Sequence, residues 1–185
     1  MNITVYCASS LGHDPDFAQE TRKLGAWIGA HRHTLVYGGT NVGLMGLLSD
    51  VVLDAGGRVV GVLPDILADR EPPSGRLTEF YRVETMAQRK AKMIELGDVF
   101  VALPGGPGTL EELSEIMSLV KLGTPPGYLF LLNVNGYYDE LVASFERMLE
   151  HGFMTPEMRS YLKVAVSADE LAAALSVMGR GSARP

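Results

Sequence analysis

The stretch Val99-Phe100-Val101-Ala102-Leu103-Pro104-Gly105-Gly106-Pro107-Gly108-Thr109-Leu110-Glu111-Glu112 decides the reading of the fold. Its first five residues form an apolar run of the length expected for a buried strand. Three glycines within four residues follow, and then a helical pattern that opens with two carboxylates. Glycine lets a ligand come close to the backbone, and a helix N-terminus adds unpaired N–H groups and the positive end of a dipole. Together they make a cradle suited to phosphate. A carboxylate repels phosphate, so a glutamate beside the cradle points to a second task, chemistry on or contact with a neighbouring sugar.

Outward from that segment, the chain alternates strand with helix. Strands are expected over residues 3–8, 34–37, 58–63, 80–84, 98–103, 128–134 and 163–166. Helices are expected over 14–31, from a cap at Asn41 to 55, and over 86–96, 109–122, 137–151 and 169–178. The polar, proline-containing segment 68–75 reads as an exposed loop and 179–185 as a disordered tail. This order predicts an α/β fold, a Rossmann-like, doubly wound parallel sheet with helices on both faces, in one domain over 1–178. Ligands of such folds bind beyond the carboxyl ends of the strands, at a switch in strand order. Three expected strands end there in small or glycine-rich turns: Ala8-Ser9-Ser10, Gly38-Gly39-Thr40 and the 104–109 loop.

Composition narrows the function. A net charge of −6 over 185 residues argues against broad, nonspecific contact with nucleic acid. Cys7 is the only cysteine, so no internal disulfide forms, and no zinc-ligand spacing occurs. No basic leader or membrane-length apolar run is present, so a soluble, cytoplasmic protein that does not engage membranes is expected. Gly38-Gly39-Thr40-Asn41-Val42-Gly43 has the glycine spacing of a P-loop, but Leu44 and Met45 stand where lysine and a hydroxyl residue are needed. ATP hydrolysis is therefore disfavoured. Neither glycine cluster has the G-x-G-x-x-G spacing of a dinucleotide site.

Helical phase sorts the charges. At about 100° per residue, Met86, Arg89, Lys90 and Met93 share a face. Cations on a core-facing stripe need an anion, either a ligand or an internal carboxylate. In the helix after Thr109, Glu112 falls at the edge of the apolar face set by Leu110, Leu113, Ile116, Met117 and Val120, whereas Glu111 and Glu115 point to solvent. Glu112 is thus the cleft candidate, and Glu111 a charge that favours the helix dipole. Cys7 reads as a small core residue, the four histidines form no constellation, and Tyr137-Tyr138 read as packing or interface residues.

Pro104-Gly105-Gly106-Pro107-Gly108-Thr109-Leu110-Glu111-Glu112 matches a P-G-G-x-G-T-x-x-E signature, and Met86-Ala87-Gln88-Arg89-Lys90 resembles its M-x-x-R-K partner. Tyr37-Gly38-Gly39 with Gly43-Leu44-Met45-Gly46, and Leu132 to Tyr138, also fit. On these motifs, over about residues 3–152, the chain resembles the LONELY GUY group. These are cytokinin riboside 5′-monophosphate phosphoribohydrolases, long labelled possible lysine decarboxylases. The chain departs at Ala87 and Gln88, where the family has His and Glu, at Thr40, and at 119–122. The resemblance implies hydrolysis of the N-glycosidic bond of adenosine 5′-monophosphate, often N6-prenylated, to a free base and ribose 5-phosphate. It implies a homodimer, with no metal and no organic cofactor. It also implies Arg89 and Glu112 as the catalytic pair, with Ser9, Gly38, Gly39, Met86, Lys90, Gly105, Gly106, Gly108 and Thr109 binding substrate. The competing expectation is a carrier of a phosphorylated nucleotide or pterin-type cofactor on the same fold.

Overall fold

The computed structural model describes residues 1–68, 73, 75–124 and 126–178. The tail expected at 179–185 and most of the loop expected at 68–75 lie outside the described residues. In chain order the elements are β1 (Asn2–Tyr6), α1 (Pro15–Ala30), β2 (Thr34–Tyr37), α2 (Gly43–Asp54), β3 (Arg58–Pro64), α3 (Asp65–Ala68), β4 (Glu79–Val83) and α4 (Met86–Leu96). They continue with β5 (Val99–Ala102), α5 (Pro107–Lys121), β6 (Leu129–Leu132), a 3-10 turn (Val134–Gly136), α6 (Asp139–Glu150), α7 (Pro156–Tyr161), β7 (Leu162–Ala165) and α8 (Ala168–Met178).

The strands form one sheet in the order β4-β3-β2-β1-β5-β6-β7, with every neighbouring pair parallel. Alternation along β1 divides the core. Ile3, Val5 and Cys7 pack with Leu24 and Ile28 of α1, Leu44 and Leu48 of α2, and Leu171 of α8. Tyr6 points the other way, into a core with Met93 of α4, Leu113, Ile116 and Met117 of α5, and Phe145 of α6. Central strands buried on both faces read as near-continuous apolar runs, which is why 99–103 was legible.

From β1 the chain winds outward to β4 and then returns to place β5 on the other side of β1. The switch point therefore lies beyond the carboxyl ends of β1 and β5. Here the Ser9-Ser10 turn and the 103–106 loop leave the sheet side by side.

Three local expectations change. Asn41 does not cap α2; the cap position is Val42, without a side-chain bond. Gly43 takes a left-handed φ of 56°, and a Cβ there would lie 2.2 Å from the Ser9 carbonyl carbon. Leu44 N–H instead donates to Ser10 O at 3.2 Å, so the β1 turn supplies an acceptor that a cap would otherwise provide. Leu110, expected on the apolar face of α5, is 45% exposed in its first turn. Finally, α3 and α7 were not foreseen, because elements of four and six residues are too short to show a period. Helix α7 nevertheless carries a start signal, Thr155 accepting from Met158 N–H ahead of Pro156.

Candidate active site

A cleft of about 320 Å³ opens at the switch point. One wall is the α5 entrance, Gly106 to Thr109 with Glu111 and Glu112; the other carries Met86, Arg89, Met45 and Leu67. Ser9 and Ser10 close one end. Of the residues expected to bind substrate, Ser9, Met86, Gly106, Gly108 and Thr109 line this cleft.

The loop glycines are not all alike. Gly106 is the N-cap of α5 with φ −92°, and Gly108 lies within the helix, so neither needs a left-handed backbone. A Cβ on either would meet no protein atom within 4 Å. Neither packing nor conformation requires glycine at 106 and 108, so the missing Cβ matters only to something occupying the cleft. Among the described residues, no acceptor in the chain takes the N–H groups of Gly105, Gly106, Gly108 or Thr109. Unpaired backbone donors at the positive end of a helix are an arrangement suited to an anion. Gly105 differs: a Cβ there would strike Thr109 Oγ1 at 2.2 Å, so it is glycine for tight packing inside the loop.

Beside the cradle lie the two charged groups singled out by phase. Arg89 and Glu112 are both 7% exposed, with Arg89 Nη1 3.5 Å from Glu112 Oε1. That distance is too long for a good hydrogen bond, so the pair attracts without being locked. Arg89 is held from behind, its Nε donating to Val62 O at 3.2 Å. Its helix is pinned to β1 by Thr4 Oγ1 donating to Met93 O at 3.1 Å. Burial raises the Glu112 carboxyl from its ordinary 4.5 to about 7; Arg89 pulls against that rise, while Glu111 and Glu115 add to it. A carboxyl poised near neutrality in a cleft is a sign of acid–base or charge-stabilising work.

Gly38 and Gly39 do not line the cleft. A Cβ on Gly38 would fall 2.0 Å from Arg89 Nη2, so this glycine makes room for the guanidinium. Gly39 takes φ 84° against the backbone of Val62. Both act on the site through Arg89 and β3. Lys90 is drawn away as well, its Nζ lying 2.8 Å from Glu111 Oε1 and 3.1 Å from Glu115 Oε2. The internal carboxylates, weighed above as the alternative to a ligand, are its partners. Glu111 remains exposed, but Glu115 is only partly so, a consequence of this contact. Gln88 belongs to a capping box, its Oε1 accepting from Glu84 and Thr85 N–H while Thr85 Oγ1 accepts from Gln88 N–H.

Cys7 lines the cleft, but burial drives its thiol well above the ordinary range, which favours the neutral thiol over the thiolate. Residues that sequence reasoning missed include Leu67, which stands on the unforeseen α3, and Met45. The signal for Met45 was its place in Gly43-Leu44-Met45-Gly46. Among the described residues no cluster of three metal-ligating side chains occurs.

A family described as "Possible lysine decarboxylase" matches residues 45–175. A cytokinin riboside 5′-monophosphate phosphoribohydrolase of Arabidopsis thaliana is 41% identical over 91% of this chain and 79% of its own length. The chain belongs to the LONELY GUY (LOG) family. A second relative with the same description, from Rhodococcoides fascians, is 42% identical over 94% of this chain and 88% of its own. The LOG chain also shares its fold with more distant proteins. A molybdenum cofactor binding protein of Rippkaea orientalis superimposes with a TM-score of 0.71 at 21% identity, covering 96% of this chain and 94% of that one. The molybdenum cofactor carrier of Chlamydomonas reinhardtii gives 0.71 at 20%, covering 97% and 98%. At such identity the likeness establishes the Rossmann-like fold alone. The family's older description does not suit this site: Lys90 is held protonated by its hydrogen bond to Glu111, whereas a Schiff-base lysine must be neutral.

Proposed function

We propose that the protein hydrolyses the N-glycosidic bond of an adenosine 5′-monophosphate, N6-modified or plain, releasing the free base and ribose 5-phosphate. The observation that carries this reading is the buried Arg89–Glu112 pair set against a cradle of unpaired backbone N–H groups. The relatives at 41% and 42% identity, described as cytokinin riboside 5′-monophosphate phosphoribohydrolases, support the substrate class.

In this mechanism the 5′-phosphate sits at Gly106, Gly108 and Thr109, where the helix end meets it. The ribose then falls beside Glu112, held in place by the energy of binding the phosphate. Breaking the bond to the base builds positive charge on the sugar ring. Ionised Glu112, itself largely buried, stabilises that charge and accepts a proton from the attacking water, and that proton is passed on to the nitrogen of the departing base. Arg89 presents a fixed fork to the phosphoribosyl oxygens and favours the ionised state of Glu112. Met86, Met45 and Leu67 offer the apolar wall suited to a base. The chemistry calls for no metal or organic cofactor.

The working assembly in this reading is a homodimer. Met86 and Leu110 stand 36% and 45% exposed beside the cleft, apolar surface suited to a second copy. A cytoplasmic setting suits a nucleotide substrate; among the described residues no helix is long and apolar enough to cross a membrane. The test is incubation with AMP and with N6-isopentenyladenosine 5′-monophosphate, followed by chromatography of the free base. Arg89→Ala is expected to reduce release at least a hundredfold, in the range of a lost charge-stabilising group. Tight nucleotide binding with no base release from any purine monophosphate would instead favour the carrier.

A further inference from the structure

On the far side of the phosphate loop from Arg89 lies a second cavity of about 440 Å³, lined in part by Leu11, Phe17, Leu44, Gly105 and Tyr137. Tyr137 stands edge-on to Phe17 at 5.4 Å, and its hydroxyl donates to Gly105 O at 2.6 Å. The neighbouring Tyr138 donates to Leu103 O at 2.5 Å. Two adjacent tyrosines thus hold two carbonyls of the loop.

The two bonds differ in consequence. In a planar trans peptide the C=O of one residue and the N–H of the next point in opposite directions. A carbonyl held toward Tyr137 therefore turns Gly106 N–H away from it, toward the cleft that Gly106, Gly108 and Thr109 line. That N–H finds no acceptor in the chain. Loop glycines are the residues whose peptides rotate most freely, so an external anchor is needed to fix this one. The Leu103 carbonyl precedes Pro104, which has no N–H, so Tyr138 anchors the loop without aiming a donor.

We infer that Tyr137 is a positioning residue for the phosphate subsite: by holding the Gly105 carbonyl it aims the Gly106 N–H at the substrate's 5′-phosphate. The inference rests on the proposed reading of the cleft and adds a phosphate-specific determinant outside it. It restricts Tyr137 to phosphate recognition and leaves bond cleavage to Glu112.

The experiment uses the full chain carrying Tyr137→Phe or Tyr138→Phe. Base release is measured from N6-isopentenyladenosine 5′-monophosphate and from the riboside lacking phosphate, and the Kd of ribose 5-phosphate is measured by titration calorimetry. For Tyr137→Phe, KM for the monophosphate and Kd for ribose 5-phosphate rise roughly tenfold, the worth of one hydrogen bond to a charged group. In this variant kcat and the riboside reaction stay near wild type. Tyr138→Phe lowers Tm without the phosphate-selective loss. Unchanged KM and Kd in Tyr137→Phe, equal losses on both substrates, or the same phosphate-selective loss in Tyr138→Phe would overturn the inference. Should the wild-type chain release no base, the hydrolase reading fails, while the calorimetric arm still decides the role of Tyr137.

Discussion

The proposed mechanism rests on one ionisation, that of Glu112. The folded protein holds its proton more tightly than the unfolded chain does, with the carboxyl raised from 4.5 to about 7. The resulting contribution to stability is complete below pH 4.5, declines as pH rises, and is gone above about pH 7. Each pKa unit corresponds to about 1.4 kcal/mol, so ionising Glu112 costs the fold at most about 3–4 kcal/mol. Glu112→Gln, a mimic of the protonated form, is therefore expected to raise Tm at pH 8.5 and leave it nearly unchanged at pH 4.5; a scan at both pH values reads the difference. Under the proposed mechanism the rate is expected to run the opposite way, rising through about pH 7 as the Glu112 carboxylate forms. Stability is thus given up at the residue that the reaction needs ionised. Gly108 offers a second separation of stability from function. Alanine fits its helical backbone and strikes no protein atom. Gly108→Ala should stabilise the helix by about 0.5–1 kcal/mol. The same variant should weaken ribose 5-phosphate binding at least tenfold, as the methyl group enters the cradle. Chemical denaturation and calorimetry on one preparation measure both effects.

At the scale of elements, α4 and α5 form the working pair, and Lys90 is the clamp between them. It neutralises Glu111 and Glu115, which flank Glu112 along α5. Lys90 lowers the Glu112 pKa while those two carboxylates raise it. Lys90→Met should consequently move the midpoint of the pH–rate profile upward, whereas Lys90→Arg should hold it near the wild-type value. An unmoved midpoint in Lys90→Met would remove the clamp from the account. Helical phase made Arg89 and Glu112 legible, because a charge on a core-facing stripe conflicts with the local pattern. It also placed Lys90 inward, but phase describes one helix at a time. Whether a ligand or a carboxylate of α5 meets Lys90 depends on how two helices pack, which neither helix states alone. Gly38 shows the same limit. A glycine after a strand looks like a turn or a ligand contact, and only the path of Arg89 from another element shows that the space is filled by a guanidinium.

At the scale of the whole molecule, the sheet order places the turns after β1 and β5 side by side at the switch point, while β2 contributes from behind Arg89. The alternation of strand and helix pointed to the parallel architecture, since most apolar runs were bounded by a turn and followed by a 3.6-residue period; between the 58–63 and 80–84 strands only a loop was expected. The short α3 was not legible, and with it went one wall of the cleft at Leu67. Because the site draws on turns from separate parts of the chain, an occupant should steady the whole fold. At a ligand concentration of a hundred times Kd, the gain is about 2.7 kcal/mol. For a chain of this size that corresponds to a rise in Tm of roughly 5–10 °C. Ribose 5-phosphate should produce this shift, and ribose without phosphate should not.

The central claim is that the Glu112 carboxylate cleaves the base from a nucleotide held by the 105–109 loop. The most direct measurement is the stoichiometry of free base and ribose 5-phosphate formed from N6-isopentenyladenosine 5′-monophosphate at pH 8, by the wild-type chain and by Glu112→Ala. One base per ribose 5-phosphate is expected from the wild type. No release is expected from Glu112→Ala, although that variant still binds the nucleotide. Release by Glu112→Ala at the wild-type rate, or base without ribose 5-phosphate, would contradict that claim.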